Sequence, residues 1–316
     1  MTRLKRWLRR LGIAFAVLIA LVTIASFAYN AATDGRQAAA RSLYAGPYVV
    51  ADGTSIAFRR WGRTGTPIVL LGGFVEPSWV WQGVGSRLGR RHRVFALDLP
   101  PFGYTQRRGP FTLSHWVDLV RAFDARLGIR RPLLVGHSLG AAVAVASALA
   151  HPRAVSGIVL LDGDALPVGG GPRWLSHLLV RPYYTSIFRI VTGSDWLVGR
   201  GLRGALGPHM RPPSHVELEL WKRQFRVRGT AEAFRHLFAG GGSGVSVADL
   251  RRVRVPRVVV WGEHDTVDSV DAGRRTARAL RAPFMLIRGA GHLSMLGRPR
   301  AVAAAIEHAV RGASRR

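Results

Sequence analysis

Residues 132–146 have the sequence PLLVGHSLGAAVAVA. The first part is short and aliphatic, which is typical of a buried strand, and the alanine-rich second part favours a helix. Between them, Ser138 has a glycine two residues before it and another two residues after it. A sharp reversal from strand to helix needs glycine at both places, because side chains there would collide with the adjoining strand and helix. The pattern predicts a nucleophilic serine raised above the end of a sheet; the alternative is an ordinary strand-to-helix turn in which Ser138 caps the helix.

The chain of 316 residues carries 46 Lys and Arg against 18 Asp and Glu, a formal net charge of +28. Lys5 and Lys222 are the only lysines, so almost all of the cations are arginines. The arginines are scattered and no recognisable nucleic-acid motif accompanies them, so we expect no nucleic-acid partner and favour anionic lipid headgroups. A coding bias toward Arg, Ala and Gly is the alternative explanation of the charge. The chain has no cysteine, which excludes disulfides, thiolate metal sites and a cysteine nucleophile.

The amino-terminal segment has the pattern of a membrane anchor. Residues 1–10 carry five basic side chains and precede an uncharged stretch over residues 11–29, whose helical length comes close to the ~30 Å of a bilayer core. The basic cluster is expected in the cytoplasm, which places the remainder outside. A cleaved signal peptide is the alternative, with Ser26-Phe27-Ala28 as the cleavage site; we favour an uncleaved anchor because the apolar run is longer than most signal cores. Residues 30–47, with a small and polar first part, are predicted to be a tether.

From residue 48 onward, short aliphatic runs alternate with stretches of helical spacing. After an opening hairpin, the runs fall at 67–71, 94–97, 132–135, 157–161, 255–261 and 284–287. Strands that alternate with helices indicate right-handed crossovers and a mostly parallel sheet flanked by helices, an α/β fold. Residues 48–164 and 249–316 are predicted to form this core. Polar clusters follow the carboxyl ends of the strands, the edge at which open α/β sheets bind ligands.

The alternation stops over residues 165–248, which we predict to be a mostly helical lid inserted beside the nucleophile. Its first half is rich in aromatic side chains, among them Trp174, Tyr183, Tyr184, Phe188 and Trp196. Part of this surface must pack onto the core, which is the alternative for any one of these residues. The rest is predicted to line an apolar cavity for a small acyl substrate. We therefore expect medium-length acyl esters to be preferred over acetyl esters.

A nucleophilic serine needs further groups. Serine is a poor nucleophile until a base takes its proton, and the base needs a carboxylate that fixes its tautomer. The chain offers Ser138, Asp265 and His292, in that order, each just past a predicted strand on the same edge of the sheet. We predict His292 as the base and Asp265 as its partner, and a solvent-exposed loop histidine is the alternative for His292. His137 lies inside the turn of Ser138, where packing is the expected role.

These features resemble the α/β-hydrolase-fold serine hydrolases, over about residues 48–311. The Gly-x-Ser-x-Gly turn and the chain order Ser, Asp, His are marks of that family. Gly262-Glu263-His264-Asp265 is similar to the family's Gly-x-x-Asp after its seventh strand, and Leu71-Gly72-Gly73-Phe74 is similar to its oxyanion loop. Gly72 stands where the family usually has a histidine, so the loop lacks a side chain that helps to order it. Asp98 ends a strand where many relatives carry an aspartate that ties down neighbouring loops.

The resemblance also implies further site residues. The backbone N–H groups of Phe74 and Leu139 are expected to form an oxyanion hole, since a tetrahedral oxyanion needs two preorganised donors. Some relatives place the acid after the preceding strand, where this chain has Asp162 and Asp164. We favour Asp265 over that pair.

Together the residues and the resemblance predict a membrane-tethered hydrolase that cleaves an ester or related acyl bond through an acyl-enzyme on Ser138. No metal or organic cofactor is implied. The same triad could instead serve carbon–carbon bond hydrolysis or acyl transfer, and the fold could carry a non-catalytic binding protein. The intact triad argues against a binding role, which does not need all three groups. Relatives with an aspartate nucleophile, the epoxide hydrolases and haloalkane dehalogenases, are disfavoured because Ser138 occupies that position.

Overall fold

The computed structural model describes residues 3–167, 180–208, 210–240 and 244–314. In chain order, strands β1 to β8 are Tyr48–Ala51, Thr54–Trp61, Pro67–Leu71, Arg93–Leu97, Leu133–His137, Gly157–Leu161, Arg257–Gly262 and Phe284–Ile287. Helices α1 to α13 are Arg3–Asp34, Ala40–Leu43, Gln82–Leu88, Leu113–Arg126, Leu139–Ala150, Tyr183–Gly193, Asp195–Leu206, His215–Arg223, Thr230–Ala239, Val247–Arg252, Val270–Leu280, Ser294–Gly297 and Pro299–Ser314.

The strands form one eight-stranded sheet in the order β1-β2-β4-β3-β5-β6-β7-β8. β1 and β2 form an antiparallel hairpin, β2 is antiparallel to β4, and the later pairings are parallel. All residues of β5 and β6 are buried, because helices cover both faces of the sheet. This burial explains the short aliphatic runs in the sequence. The prediction of a mostly parallel α/β sheet flanked by helices is confirmed.

Each face of the sheet has its own apolar core. On one face, α4 and α5 bury side chains such as Phe123 and Val143. On the other face, α3 and α13 bury side chains such as Leu88 and Ile306. Burying one such side chain contributes about 1.5–3 kcal/mol. The two cores hold the parallel strands so that their carboxyl ends meet at one edge.

Asp98 joins two loops at this edge. Its buried carboxylate accepts hydrogen bonds from the backbone N–H groups of Ser78 and Tyr104, at 2.5 and 2.7 Å. Burial raises the pKa of Asp98, while these hydrogen bonds act to lower it. These contacts agree with the structural role expected for Asp98.

Helices α6 to α9 follow β6 and form the inserted lid, as predicted. Local sequence sets where they begin: the Ser194 hydroxyl accepts from the N–H of Leu197, and Ser214 starts α8 with a capping box. The end of α7 is fixed to the core, because the backbone N–H of Leu293 donates to the carbonyl of Ala205 at 3.0 Å. The lid is therefore attached directly beside the loop that carries His292.

The amino-terminal helix α1 is 32 residues long and contains the predicted anchor over residues 11–29. By length and composition it is a candidate to cross a membrane, although a signal sequence near an amino terminus passes the same test. Its polar residues near the carboxyl end contact the lid, since the Thr23 hydroxyl is hydrogen-bonded to that of Tyr183 at 2.5 Å. The helix and the lid thus share an interface.

Part of the segment predicted as a tether, residues 30–47, is packed onto the domain. The backbone N–H of Ala38 donates to the carbonyl of Arg226 at 2.9 Å. The Tyr44 ring is buried and stacks on Tyr104 with 5.0 Å between the ring centres, and its hydroxyl donates to the Phe58 carbonyl at 2.5 Å. Small and polar side chains suggested a tether, but backbone hydrogen bonds of Ala38 and the Tyr44 ring hold part of the segment on the domain.

Candidate active site

Ser138 lies in a tight turn between β5 and α5. Its φ and ψ are +50° and −119°, a backbone conformation that residues other than glycine rarely adopt. A Cβ on Gly136 would lie 2.1 Å from the carbonyl oxygen of Gly140, and a Cβ on Gly140 would lie 2.4 Å from that of Leu71. The backbone N–H of Ser138 donates to the Leu161 carbonyl at 3.0 Å, which fixes the turn to β6. The glycine requirement inferred from the sequence is therefore steric, and it holds at both positions.

His292 and Asp265 are paired on the loops that follow β8 and β7. Nδ1 of His292 lies 2.8 Å from Oδ2 of Asp265, and both side chains are buried. Because a carboxylate only accepts hydrogen bonds, Nδ1 carries the proton, which leaves Nε2 of the neutral ring as an acceptor. The other carboxylate oxygen accepts from the backbone N–H groups of Val267 and Asp268, both at 2.9 Å. Three donors thus converge on Asp265 and fix the tautomer of His292.

The two alternative acids have other partners. Asp162 is fully buried after β6, where it accepts from a backbone N–H of β7 at 2.6 Å and from the hydroxyl of Ser294. Asp164 accepts from the backbone N–H two residues further on, at 2.9 Å. Among the described residues, Asp265 is the carboxylate hydrogen-bonded to the ring of His292. The geometry favours Asp265 over either alternative.

The loop after β3 brings the backbone of Phe74 close to Ser138. A Cβ on Gly73 would lie 2.8 Å from the Cβ of Ser138, so that only glycine permits this approach. Leu139 is the first residue of α5, where backbone N–H groups have no partner inside the helix. Within the described part of the chain, neither the Phe74 N–H nor the Leu139 N–H donates a hydrogen bond. Both are available to an oxyanion, and their role as an oxyanion hole stays a prediction.

A buried ionic network that the sequence did not predict connects these loops. The Glu76 carboxylate accepts from the N–H of Gly73 at 2.6 Å and from Nδ1 of His137 at 2.9 Å. Nε2 of His137 donates to the backbone carbonyl of His292 at 2.8 Å. A Cβ on Gly72 would lie 2.9 Å from the Glu76 carbonyl oxygen, so Glu76 occupies the space beside the missing histidine and orders the loop instead. The signal available in the sequence was His137 itself, a titratable side chain in a buried turn.

His137 is a cation in this network. Both of its ring nitrogens face acceptors, which requires two N–H donors. Complete burial alone would lower the pKa of His137, but the carboxylates of Glu76 and, at 3.8 Å, Asp162 raise it to about 9. Burial raises the pKa of Asp162 to about 7. One imidazolium therefore lies between two carboxyl groups beneath the site.

Ser138 and His292 line one cavity of about 390 Å³ under the lid. From the lid, aliphatic side chains of α6 and α7, namely Val191, Leu197, Val198 and Leu202, form its wall together with Trp221 and Phe225. In the described ranges, no group of three or more His, Cys, Asp and Glu could hold a metal ion. The cavity is suited to an apolar chain whose reacting carbon lies beside Ser138.

The lid aromatics predicted to line this cavity lie elsewhere, and this correction has a physical cause. Trp174 falls outside the described residues. Tyr183 faces α1, Tyr184 and Phe188 pack against the core of the sheet, and Trp196 is 64% exposed. None of these four lines the cavity. Large rings gain as much from covering the core or another helix as from lining a pocket, so their type alone does not locate them.

The cavity face of α7 follows helical spacing. Residues 197, 198, 201, 202 and 205 all contribute to the wall, at intervals of one, three and four residues. Such a stripe is typical of one face of a helix. Periodicity along α7 was the signal that could have found this part of the lining, to which Trp221 and Phe225 from the second half of the lid also belong.

Comparison with known proteins gives the same fold. Residues 68–305 match the model of the Alpha/beta hydrolase family. An uncharacterised hydrolase of Bacillus subtilis is 24% identical over 255 residues, which cover 78% of this chain and 91% of that protein. A bacterial membrane phospholipase A is 23% identical with a TM-score of 0.66, covering 98% of this chain and 99% of that one. A meta-cleavage product hydrolase from Pseudomonas fluorescens is 18% identical with a TM-score of 0.68, covering 85% and 98%.

The His137 network predicts that stability falls as the pH rises above neutral. The pKa of His137 is about 9 in the folded chain, above its ordinary 6.5, so its stabilisation is complete below pH 6.5 and is lost as the pH rises through 9. The stabilisation linked to Asp162, whose pKa is raised from 3.8 to about 7, is already lost between those values. From about pH 7 to about pH 9.5, we expect the free energy of unfolding in urea and detergent to fall by on the order of 1–3 kcal/mol.

Glu76→Gln removes the partner carboxylate and should flatten this pH dependence. His308→Gln, at an exposed histidine of α13, is the matched control and should keep the wild-type slope. An unchanged slope in Glu76→Gln would contradict the assignment of His137 as the titrating group.

Proposed function

This chain belongs to the alpha/beta hydrolase family, and on that premise we propose that it is a membrane-tethered serine hydrolase that cleaves an ester or related acyl bond. One observation carries the proposal: Ser138 and His292 line the same cavity, and His292 is hydrogen-bonded to Asp265. A nucleophile, a base and an orienting carboxylate around one apolar site are what acyl transfer to water requires.

In the proposed acylation step, Nε2 of His292 takes the hydroxyl proton of Ser138 while the Oγ of Ser138 attacks the acyl carbon. The carbonyl electron pair moves to oxygen, where the N–H groups of Phe74 and Leu139 receive the charge; losing one such donor typically costs ~10²–10³ in rate. Asp265 stabilises the imidazolium that forms. The carbonyl then re-forms, the bond from the acyl carbon to the alcohol oxygen breaks, and the leaving alcohol takes the proton from Nε2 of His292, which leaves the acyl group on Oγ of Ser138. Water repeats the sequence on the acyl-enzyme, releasing the acid and restoring Ser138.

The cavity wall supports an acyl chain as the bound group. Its lid side is mostly apolar, formed by aliphatic side chains with Trp221 and Phe225, and offers little to hold a charged or strongly polar substrate. The likeness to a membrane phospholipase A extends over 98% of this chain, which supports an ester derived from lipid. Carbon–carbon bond hydrolysis, the reaction class suggested by the name of the meta-cleavage product hydrolase, is the second candidate, since that likeness covers 85% of the chain with a TM-score of 0.68.

The contacts of α1 support an uncleaved anchor. Thr23 is bonded to Tyr183, and Asn30 donates to the carbonyl of Pro182 at 3.0 Å. Cleavage after Ala28 would cut the helix within the part that packs on the lid. The basic residues before the apolar stretch support a cytoplasmic amino terminus and an extracytoplasmic hydrolase domain.

Ser138 is predicted to react covalently with a fluorophosphonate probe. Ser138→Ala removes the attacking oxygen, so labelling should vanish and turnover of p-nitrophenyl octanoate should fall by ~10⁴–10⁶. Ser147→Ala, at a buried serine of α5, is the matched control and should keep both. Labelling that persists in Ser138→Ala would place the nucleophile elsewhere. Wild-type protein that labels but hydrolyses only diketones would favour carbon–carbon chemistry.

The identity of the acid is predicted from the partner of His292. Asp265→Asn replaces an obligate acceptor by an amide and misorients the ring, so kcat/KM should fall by about 10⁴. Asp162→Asn and Asp164→Asn should each lose less than about tenfold, because neither is hydrogen-bonded to His292. A larger loss in either of these variants than in Asp265→Asn would assign the acid to the earlier strand.

The apolar wall of the cavity predicts a preference for esters with medium-length acyl chains. Each buried methylene gains about 0.8 kcal/mol, so two are worth roughly tenfold, and octanoyl esters should exceed acetyl esters in kcat/KM by at least that factor. Leu202→Ala removes part of the apolar wall and enlarges the cavity, so it should reduce the ratio of kcat/KM for octanoyl over acetyl esters. Val216→Ala, at a 69% exposed lid residue outside the cavity, should not. Equal kcat/KM for acetyl and octanoyl esters in the wild type would refute an apolar acyl site.

A further inference from the structure

Helix α6 packs lengthwise along the carboxyl-terminal part of α1. The Tyr183 hydroxyl is bonded to Thr23, and the Ser186 hydroxyl lies 3.2 Å from Oδ1 of Asn30. One turn further, Arg189 donates to the Asn30 carbonyl at 2.7 Å. Asn30 also donates to the carbonyl of Pro182, directly before α6, at 3.0 Å. The first two turns of α6 are therefore held around Asn30 of α1, and the Tyr183 side chain reaches back to Thr23.

If α1 spans a membrane, these contacts set the depth of α6. About 20 residues cross a bilayer core of ~30 Å, so a span that starts at Leu11, just after the basic cluster, ends near Asn30. Thr23 precedes Asn30 by two helical turns, about 10 Å along the axis. The Tyr183 side chain thus reaches the level of the lipid chains, while α6 itself lies at the end of the span, beside the headgroup layer.

At this level the lid exposes a stripe of apolar side chains. Ile187, Ile190 and Val191 lie on one face of α6 and are 61%, 51% and 43% exposed. On α7, Trp196 is 64% exposed, and the guanidinium of Arg200 lies 5.9 Å from its ring centre. Single exposed apolar residues are ordinary, but an exposed apolar helix face followed by an exposed tryptophan with a basic neighbour is typical of a membrane interface. We call Ile187, Ile190, Val191 and Trp196 the docking stripe.

The docking stripe adjoins the cavity of Ser138. Val191 belongs both to the stripe and to the cavity wall. A second cavity, of about 530 Å³, lies between the lid and the end of α1, where Tyr29 and Thr33 line it. The two cavities share Thr192 and Phe225 as walls. The two cavities therefore lie on either side of these two side chains, one toward α1 and one at the nucleophile.

We propose that the docking stripe is immersed in the same bilayer that α1 spans, and that the acyl substrate passes from the lipid alongside α1 to Ser138. Lipid is the occupant that fits, because the docked helix already carries the stripe to the level of the headgroups and chain ends. The chemical class of the substrate is then a membrane-resident ester. The proposal rests on the membrane-tethered hydrolase function proposed above and adds the surface and the direction of entry.

Depth can be measured with single cysteines, since the chain has none of its own. Ile190→Cys in the full chain is labelled with a nitrobenzoxadiazole dye and reconstituted in vesicles of phosphatidylcholine and phosphatidylglycerol, three to one. We expect quenching by lipid that carries a doxyl group high on the acyl chain, and protection from aqueous iodide. Leu286→Cys on the edge strand β8, 36% exposed and outside the docking stripe, is the matched control and should give the reverse.

Three outcomes separate the proposals. Iodide access at position 190 equal to that at position 286 overturns docking. Protection from iodide without quenching by doxyl lipid means that a second copy of the chain covers the stripe, which also overturns it. Val17→Cys, in the middle of α1, reports the anchor by itself: if it is open to iodide, the membrane tether of the proposed function has failed, independently of the stripe.

Activity provides a second measurement. The double variant Ile187→Ser, Ile190→Ser changes two exposed side chains outside the cavity wall, so folding should be retained. Its rate on a fluorescent diacyl lipid in the same vesicles should fall by about three- to tenfold, while its rate on water-soluble p-nitrophenyl butyrate should stay at the wild-type value. Leu286→Ser is the control and should change neither rate. An unchanged rate on the vesicle lipid, or an equal loss on both esters, would overturn entry from the bilayer.

A wild-type protein that hydrolyses neither ester would instead count against the proposed function. The depth of the label at position 190 would then still decide whether the stripe meets lipid. Failure of the chemistry and failure of the docking surface are therefore distinguishable.

Discussion

The charged side chain of His137 connects the parts of the candidate site. It reaches Glu76 in the loop after β3 and the His292 carbonyl after β8, and its backbone immediately precedes Ser138. A buried ion pair contributes little net stability, because desolvating two charges costs about as much free energy as their attraction gains. Loss of one partner, in contrast, leaves an uncompensated charge in the interior, at about 3–5 kcal/mol. We interpret the network as a device that fixes the relative position of three loops.

The lid extends this connection from the site to the anchor. At one end, the Leu293 N–H holds the carbonyl of Ala205 beside the His292 loop. At the other end, α6 lies along α1 through Tyr183 and Arg189. The lid is therefore fixed both to the edge of the sheet that carries Ser138 and His292 and to the helix that is the candidate membrane span. A helix that served only as a tether would need no such contacts.

The sequence was informative where the chemistry is local. A glycine pattern around Ser138 predicts a turn because the clash it relieves lies within five residues of chain. Asp265 and His292 could be proposed because parallel strands bring their carboxyl ends to one edge. Glu76 could not, since its partner His137 lies 61 residues away and only the folded loop shows that the carboxylate is buried. The prediction for the lid aromatics was wrong for a related reason. Burying a ring against any apolar surface is favourable, so residue type does not say which surface the ring covers.

Asp162 and Asp265 illustrate why the acid cannot be chosen from spacing alone. Both follow buried parallel strands on neighbouring positions of the sheet, and both are buried. Asp162 has a pKa raised to about 7 by burial and shares the cation of His137. A carboxyl group that is partly protonated near neutral pH is a poor obligate acceptor for an imidazole N–H. Asp265 instead accepts from two backbone N–H groups and from Nδ1 of His292. The donors around each carboxylate, rather than its place in the chain order, favour Asp265 as the group that orients His292 and Asp162 as a group that supports the loops.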